Sequence, residues 1–210
     1  IPSIARCLDD RDQGVRWAAA EALGKLGDKP SIPRLTELLE DEVPLVRSRA
    51  AGALAALGAK SSAQGIVRLL EDEITAVDAA RALGTLGERS IVPSIVKLLD
   101  DPATREHAIR ALELIGDKSV ASAVAKHLDD KELRVCCAAV GALGELGQRS
   151  DIPAIAEFLE EEGVAAICAA GALEKLTGQH WPREHSADDG IRPARAWWKK
   201  HKNDPEFSNP

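Results

Sequence analysis

The hexapeptide Ala22-Leu23-Gly24-Lys25-Leu26-Gly27 decides the fold, because variants of it recur along nearly the whole chain. The first alanines of its six copies are residues 22, 53, 82, 111, 142 and 172, so successive copies lie 29 to 31 residues apart. A unit of this length has room for two short helices, and neither can bury its apolar face without a neighbouring unit. The period therefore predicts a solenoid, in which each unit packs only on the units beside it.

Each unit carries its own signals for two helices. In the second repeat, Ser31 is placed to cap the free amides of a first helix, called helix A, and Pro33 stands in its first turn. Apolar residues at positions 32, 35, 38 and 39 have the spacing of one buried stripe. A second helix, helix B, then runs to a glycine such as Gly27, which accepts a left-handed conformation. We expect twelve such helices in an all-α fold.

The period divides the chain into six repeats and an end segment. The repeats cover residues 1–178, with approximate bounds 1–29, 30–60, 61–89, 90–118, 119–149 and 150–178. Residues 179–210 depart from the pattern and predict a polar connector, a short helix with Trp197 and Trp198, and a frayed tail. A solenoid end exposes the core of its last repeat, so we expect this helix to be a cap, with a ligand site at the tryptophans as the alternative.

The chain opens on Ile1-Pro2, a dipeptide that recurs at later repeat boundaries as Ile32-Pro33 and Ile152-Pro153. We therefore expect the chain to start at a repeat boundary as a piece of a longer protein.

Together these signals resemble the HEAT-repeat family, and most closely the short bacterial HEAT-like repeats that also occur in phycobilisome lyase subunits. The resemblance is carried by proline in helix A, an acidic residue in the turn and Val-Arg at the start of helix B. It implies a right-handed superhelix of six helix pairs with a C-terminal cap helix, and a ladder of acidic residues and arginines along the array. The ladder residues are Asp10, Arg16, Asp41, Arg47, Asp101 and Arg105. The ladder is expected to be interrupted at Ala76, Cys136 and Ala166, where the arginine is missing.

A helical wheel of the first helix B places Trp17, Glu21 and Gly24 opposite the core. The resemblance implies that B helices line a concave face, and the same offsets in the other repeats then give the floor of a groove. The expected partner-binding residues are Trp17, Glu21, Val77, Arg81, Glu106, Arg110 and Ile167. In the alternative interpretation, Trp17 covers the edge of the first repeat and the two arginines only pair with Glu106 and Glu113.

Composition and charge argue against several classes of partner and location. The net charge of −7 disfavours nucleic acid as the main ligand, because phosphate binding depends on clustered Lys and Arg. No apolar run approaches the ~20 residues of a membrane span, and the first residues lack a signal peptide, so we expect a cytoplasmic protein that does not engage membranes. The four cysteines have no CxxC spacing. We therefore expect them to be buried or half-buried thiols in a reducing compartment. They are Cys7, Cys136, Cys137 and Cys168.

Catalytic patterns are not evident. His180 and His185 lie in the polar connector without a third ligand at a diagnostic spacing. The chain has no His-Glu dipeptide of the kind that binds iron in the HEAT-repeat enzyme deoxyhypusine hydroxylase, and no G-x-S-x-G. A HEAT-like DNA glycosylase would need a basic concave face, whereas glutamates accompany Arg81 and Arg110 on the expected groove. We therefore expect no enzyme activity, metal or cofactor.

Two functions remain open. The first is a monomeric, non-catalytic scaffold or adaptor that binds a protein or peptide on its concave face. The second is an accessory subunit of a phycobilin lyase-type complex that attaches chromophores, and only the resemblance implies it.

Overall fold

The computed structural model of the chain describes residues 2–181 and 187–207. All regular secondary structure among these residues is helical, with thirteen α-helices and no strand. The chain divides into two compact units, Ile1–Ile115 and Gly116–Pro210. The division falls between the fourth and fifth repeats.

The first unit holds repeats one to four. Its A helices are α1, α3, α5 and α7, and its B helices are α2, α4, α6 and α8. In chain order they span Pro2–Arg6, Gln13–Leu26, Ile32–Glu37, Pro44–Ala56, Ala63–Arg68, Ala76–Leu86, Val92–Lys97 and Arg105–Ile115. The B helices pack in sequence, α2 on α4, α4 on α6 and α6 on α8.

The second unit holds repeats five and six and the end segment. Its helices α9 to α13 span Ala121–Ala125, Leu133–Leu146, Ile152–Glu157, Val164–Thr177 and Ile191–His201. The B helices α10 and α12 pack on each other, and α13 packs on α12. The predicted fold class, an all-α array of repeated helix pairs with a C-terminal helix, is confirmed.

Most of the A helices are shorter than the sequence pattern indicates, because 3-10 turns flank them. Around α3 these turns are Lys29–Ser31 and Leu38–Glu40. The predicted capping role of Ser31 is wrong: its hydroxyl donates to the Asp28 carboxylate and makes no bond to the helix. The preceding 3-10 turn already supplies an acceptor, since the Ile32 N–H bonds to the Lys29 carbonyl.

The B helices end in two ways. Gly27 closes α2 with φ 71°, the left-handed conformation that glycine adopts at little cost. Gly147 ends α10 differently, with φ −72° and extended backbone. There the next amide, that of Gln148, donates to the Asp151 carboxylate at 2.7 Å. A side chain of the following turn thus replaces the left-handed cap.

The leucine of the repeated phrase anchors the core of every repeat. It is fully buried in all six copies, Leu23, Leu54, Leu83, Leu112, Leu143 and Leu173. Burying one such side chain stabilises a fold by about 1.5–3 kcal/mol. Alanine is the most frequent of the other buried apolar residues, which lets neighbouring helices approach closely.

The glycine of the phrase explains that approach. Gly24 is buried, because α2 lies against α4 at this point. A Cβ on Gly24 would stand 2.8 Å from the Cα of Ala53. No side chain fits in that gap.

The close contact recurs in every second repeat. A Cβ on Gly84 would meet the Leu114 side chain at 2.5 Å, and one on Gly144 would meet the Cα of Ala172 at 2.8 Å. The equivalent residues of repeats two, four and six are Ala55, Glu113 and Glu174. Within each unit, repeats therefore associate in pairs, one and two, three and four, five and six, each closed by a glycine at the contact between B helices.

This pairing predicts opposite effects for two glycine substitutions. Gly24→Ala should lower the free energy of unfolding by about 1–2 kcal/mol, because overpacking against Ala53 outweighs the gain in helix propensity. Gly52→Ala should raise it by about 0.5–1 kcal/mol, since nothing lies within 4 Å of the added carbon. Urea unfolding followed by circular dichroism measures both. Equal stability of the two variants would contradict the pairing.

Candidate functional site

The B helices of the first unit form a face with an open depression of about 360 Å³. Its floor is made of small residues of α2, α4 and α6, among them Gly24, Gly52, Ala53, Ala56 and Ala82. Gly52 is exposed, and the space above it is open. The floor exists because small residues stand where B helices of neighbouring repeats approach each other.

Charged side chains form the walls of the depression. Glu21 receives a hydrogen bond from Lys25 and lies 3.7 Å from the Arg49 guanidinium. The hydrogen bond from Lys25, followed by its positive charge, lowers the pKa of Glu21 below its ordinary value. On the opposite wall Arg81 pairs with Asp78 at 3.3 Å. The carboxylates are the less exposed members of both pairs, so the cations point further into solvent.

Two of the predicted partner-binding residues, Glu21 and Arg81, line the depression. Sequence reasoning missed three further wall residues, Lys25, Arg49 and Asp78. Two signals were available for them, the spacing of Lys25 four residues after Glu21 and that of Asp78 three residues before Arg81. Arg49 required knowledge of how α4 is rotated against α2.

The other predicted partner-binding residues lie outside the depression. Trp17 is half-buried on α2, and Val77 is 52% exposed on α6. On α8, Arg110 donates to Glu106 at 3.0 and 3.1 Å. Ile167 is half-buried on α12 and belongs to the second unit.

The ladder residues lie at the turns between A and B helices. Arg16 donates to both carboxylate oxygens of Asp41, at 2.7 and 3.0 Å, and this pair links the first repeat to the second. Its Nη1 also donates to the backbone carbonyl of Asp10, six residues earlier, at 3.0 Å. Within one repeat the arginine thus binds the carbonyl of the turn aspartate, while the carboxylate it binds comes from the next repeat.

The second repeat has the same geometry. Arg47 donates to the Asp41 carbonyl at 2.8 Å and to the carboxylate of Asp72 in the third repeat. In the fourth repeat Arg105 is half-buried and donates to the Asp100 carbonyl at 3.4 Å, and Asp101 accepts from the Ala103 amide through its side chain.

The three positions without arginine receive other donors. Beside Ala76, the Thr75 hydroxyl donates to the carbonyls of Leu69 and Asp72 at 2.8 and 3.3 Å. The Cys136 thiol donates to the Asp130 carbonyl at 2.8 Å. In the sixth repeat, which has Ala166, the donor comes from α13: Arg195 bonds to the carbonyls of Leu159 and Glu161.

The two tryptophans of the C-terminal helix are less buried than the sequence suggests. Ile191 and Ala194 are its buried residues, whereas Trp197 and Trp198 are half-buried. Trp197 contacts Trp181, with ring centroids 6.2 Å apart. Trp181 is itself buried, although it falls in the segment expected to be a polar connector. No helical periodicity marks that segment, so its burial could not be predicted from the sequence.

The side chains that could act as nucleophiles or metal ligands are dispersed. All four cysteines are free thiols. Among the described residues, no three His, Cys, Asp or Glu side chains are grouped so that they could hold a metal. His180 lies 3.7 Å from Glu174. His185 falls in 182–186, outside the described residues. The described helices do not include one with the length and hydrophobicity of a membrane span.

The geometry defines a class of protein: an α-helical repeat protein built from helix pairs, with an arginine-bearing turn and a glycine-closed B-helix contact. A family model of HEAT repeats matches residues 1–80, 71–136 and 92–176. The chain belongs to the HEAT-repeat family. No curated protein sequence matches it.

Several solved structures share the fold. One is the complex of CpcE and CpcF of phycocyanin lyase from Nostoc sp. PCC7120, with 21% identity, 94% of each chain covered and a TM-score of 0.59. A designed armadillo repeat protein has 22% identity and a TM-score of 0.50, covering 83% of this chain and 99% of its own. Another, in complex with the peptide (KR)4, has 21% identity and a TM-score of 0.51, covering 83% and 98%.

The ladder geometry predicts that Arg47→Ala lowers the melting temperature more than Arg34→Ala. Arg47 is 18% exposed and joins two repeats, so its loss leaves a carbonyl and a carboxylate without their charged donor. Arg34 is 46% exposed and pairs with exposed carboxylates, which contribute little. Differential scanning calorimetry compares them, and equal melting temperatures would count against a structural role of the ladder.

The first ladder pair also predicts a dependence of stability on pH. Burial by itself would raise the pKa of Asp41, but hydrogen bonds from Arg16 and the Val43 amide outweigh it and place the pKa below its ordinary value. The stabilisation is therefore present above the unfolded pKa of about 3.9 and is lost as pH falls through the lower native pKa.

Accordingly, the stability deficit of Asp41→Asn relative to wild type should be largest near pH 7 and should shrink below about pH 4. Asp100→Asn, at an exposed position, serves as the control and should show little deficit throughout. Urea midpoints at several pH values measure both. A deficit for Asp41→Asn that stays constant down to pH 2 would refute the assignment.

Proposed function

We propose that this protein is a non-catalytic scaffold that binds a protein or peptide partner through the B-helix face of its first unit. The observation that supports this most is the depression over α2, α4 and α6, whose floor of small residues leaves room for a polypeptide backbone. Its walls carry both signs of charge, which can fix the direction and register of a bound chain.

The recognition residues proposed on this face are Trp17, Glu21, Val77, Arg81, Glu106 and Arg110. Val77 supplies exposed apolar area, and Arg81 is 71% exposed with one carboxylate partner at 3.3 Å. Trp and Arg are the residue types whose truncation most often weakens an interface. Lys25 and Arg49 extend the recognition surface along the depression. Ile167, in the second unit, is a separate candidate contact.

The experiment fills the depression without disturbing the helices. Gly52→Trp places a large side chain where nothing lies within 4 Å of the new Cβ. Gly141→Trp is the matched control, since Gly141 is also open and lies on α10 in the second unit. We expect wild type and Gly141→Trp to capture the same partner from a lysate of the source cells, and Gly52→Trp to lose it.

A charge variant tests the same surface independently. The double substitution Arg81→Glu/Arg110→Glu should also lose that partner while keeping the helicity of wild type by circular dichroism. If Gly52→Trp and the double variant both retain the partner in wild-type amounts, recognition does not occur on this face.

A second candidate function is suggested by the similarity to the CpcE and CpcF complex, which extends over 94% of both chains. In this case the protein would be an accessory subunit of a chromophore-attaching complex. Its purification from the source cells would then yield visible bilin absorbance or a stable complex with a second HEAT-like chain. A partner captured without either favours the scaffold.

A further inference from the structure

The turn between repeats five and six contains a cleft that corresponds to the linked turns of repeats one and two. It has a volume of about 510 Å³ and is bordered by the A-helix ends and turns of the two repeats. The cleft lies at the turns that carry the ladder residues in the other repeats. At one of these positions the arginine of the ladder is replaced. Cys136 occupies the position of Arg16 and Arg47.

The arginines perform two tasks that can be compared with the cysteine atom by atom. Each arginine donates to the carbonyl six residues before it, and the Cys136 thiol donates to the carbonyl of Asp130, also six residues before it. Each arginine also crosses to the carboxylate 25 residues after it, Asp41 or Asp72. The residue 25 positions after Cys136 is Glu161. A thiol makes the first bond but is too short for the second.

The carboxylate that an arginine at position 136 would reach is present. Glu161 is exposed, lines the cleft and has no ion-pair partner among the described residues. Asp129, Glu157 and Glu162 also line the cleft and are exposed, with Lys131 as the one cation among its lining residues. Burial raises the pKa of the Cys136 thiol, so it stays neutral at physiological pH and adds no charge of its own.

Apolar surface accompanies these carboxylates. Leu133 is 60% exposed at the cleft, and Phe158 is half-buried in its wall. The methylene groups of a long cationic side chain can lie along such surface while its charged end meets the carboxylates. Among the described residues no three such carboxylates are grouped closely enough to hold a metal ion, and the apolar wall favours a side chain.

An arginine from outside the repeats already donates hydrogen bonds to this turn. Arg195 of α13 donates to the Glu161 carbonyl at 2.9 Å and to the Leu159 carbonyl, where Ala166 offers no donor. It makes no described ion pair with the Glu161 carboxylate. This turn therefore accepts a guanidinium that its own B helix does not supply.

We propose that the cleft between repeats five and six binds an arginine side chain of a basic segment in a partner protein, which completes the ladder by pairing with Glu161. The planar guanidinium matches a carboxylate with two parallel hydrogen bonds, as Arg16 does with Asp41. The cleft lies wholly within the second unit, so this proposal is independent of the depression in the first.

The test uses the full chain and a fluorescein-labelled hexapeptide of alternating arginine and leucine, with fluorescence anisotropy as the readout. A peptide with citrulline in place of arginine keeps the shape and removes the charge. Wild type should bind the arginine peptide at least about tenfold more tightly than the citrulline peptide, because charge-assisted bonds are the stronger ones. Raising the salt concentration should weaken the binding.

Matched substitutions locate the binding. Glu161→Gln should weaken binding of the arginine peptide about tenfold, whereas Glu160→Gln, an identical change next to the cleft, should change it less than twofold. Cys136→Arg supplies the guanidinium from within the chain, so it should abolish peptide binding and raise the melting temperature. The rise should disappear when Glu161→Gln is added.

Three results would overturn the proposal. They are the absence of saturable binding by wild type, equal weakening by Glu160→Gln and Glu161→Gln, and undiminished binding by a folded Cys136→Arg variant. If Cys136→Arg does not fold, the comparison of the two glutamate substitutions still decides the question.

Discussion

The backbone carbonyl at the turn after each A helix imposes the requirement on which the array depends. A carbonyl at the end of a helix needs a hydrogen-bond donor, and the helix itself offers none. In this protein the donor is Arg16, Arg47, a threonine, Cys136 or Arg195, depending on the repeat. The requirement is therefore constant, while the residue that meets it varies.

The choice of donor decides how strongly neighbouring repeats are linked. An arginine satisfies the carbonyl and also reaches the next carboxylate, so it fixes both the turn and the position of the next repeat. A threonine or cysteine satisfies the carbonyl alone. Where the short donors occur, the link between repeats depends on packing of the B helices, and the glycine contacts of Gly84 and Gly144 provide it within repeats three to four and five to six.

The sequence predicted the helix pairs because period, leucine burial and terminal glycines all follow from local rules. It did not show that Gly24 is buried against α4, since a helical wheel assigns faces within one helix and carries no information on how closely the neighbouring helix approaches. The same limit hid Arg49, whose position on the wall of the depression depends on two helices. Trp181 was missed because its burial arises from a chain segment without periodicity.

The pairing of repeats also bears on where such a protein can bind. Close glycine contacts bring B helices together within a pair, and the less extensive packing of α4 on α6 falls between pairs one to two and three to four. The depression spans this junction, because it is lined by α2, α4 and α6. A bound polypeptide would therefore contact both pairs at once and oppose their separation. Since stability in a repeat array is a sum of unit and neighbour terms, a ligand placed there would add to the neighbour term between repeats two and three, alongside the α4–α6 packing and the Arg47–Asp72 pair. Binding on this face would in that way increase the cohesion of the first unit.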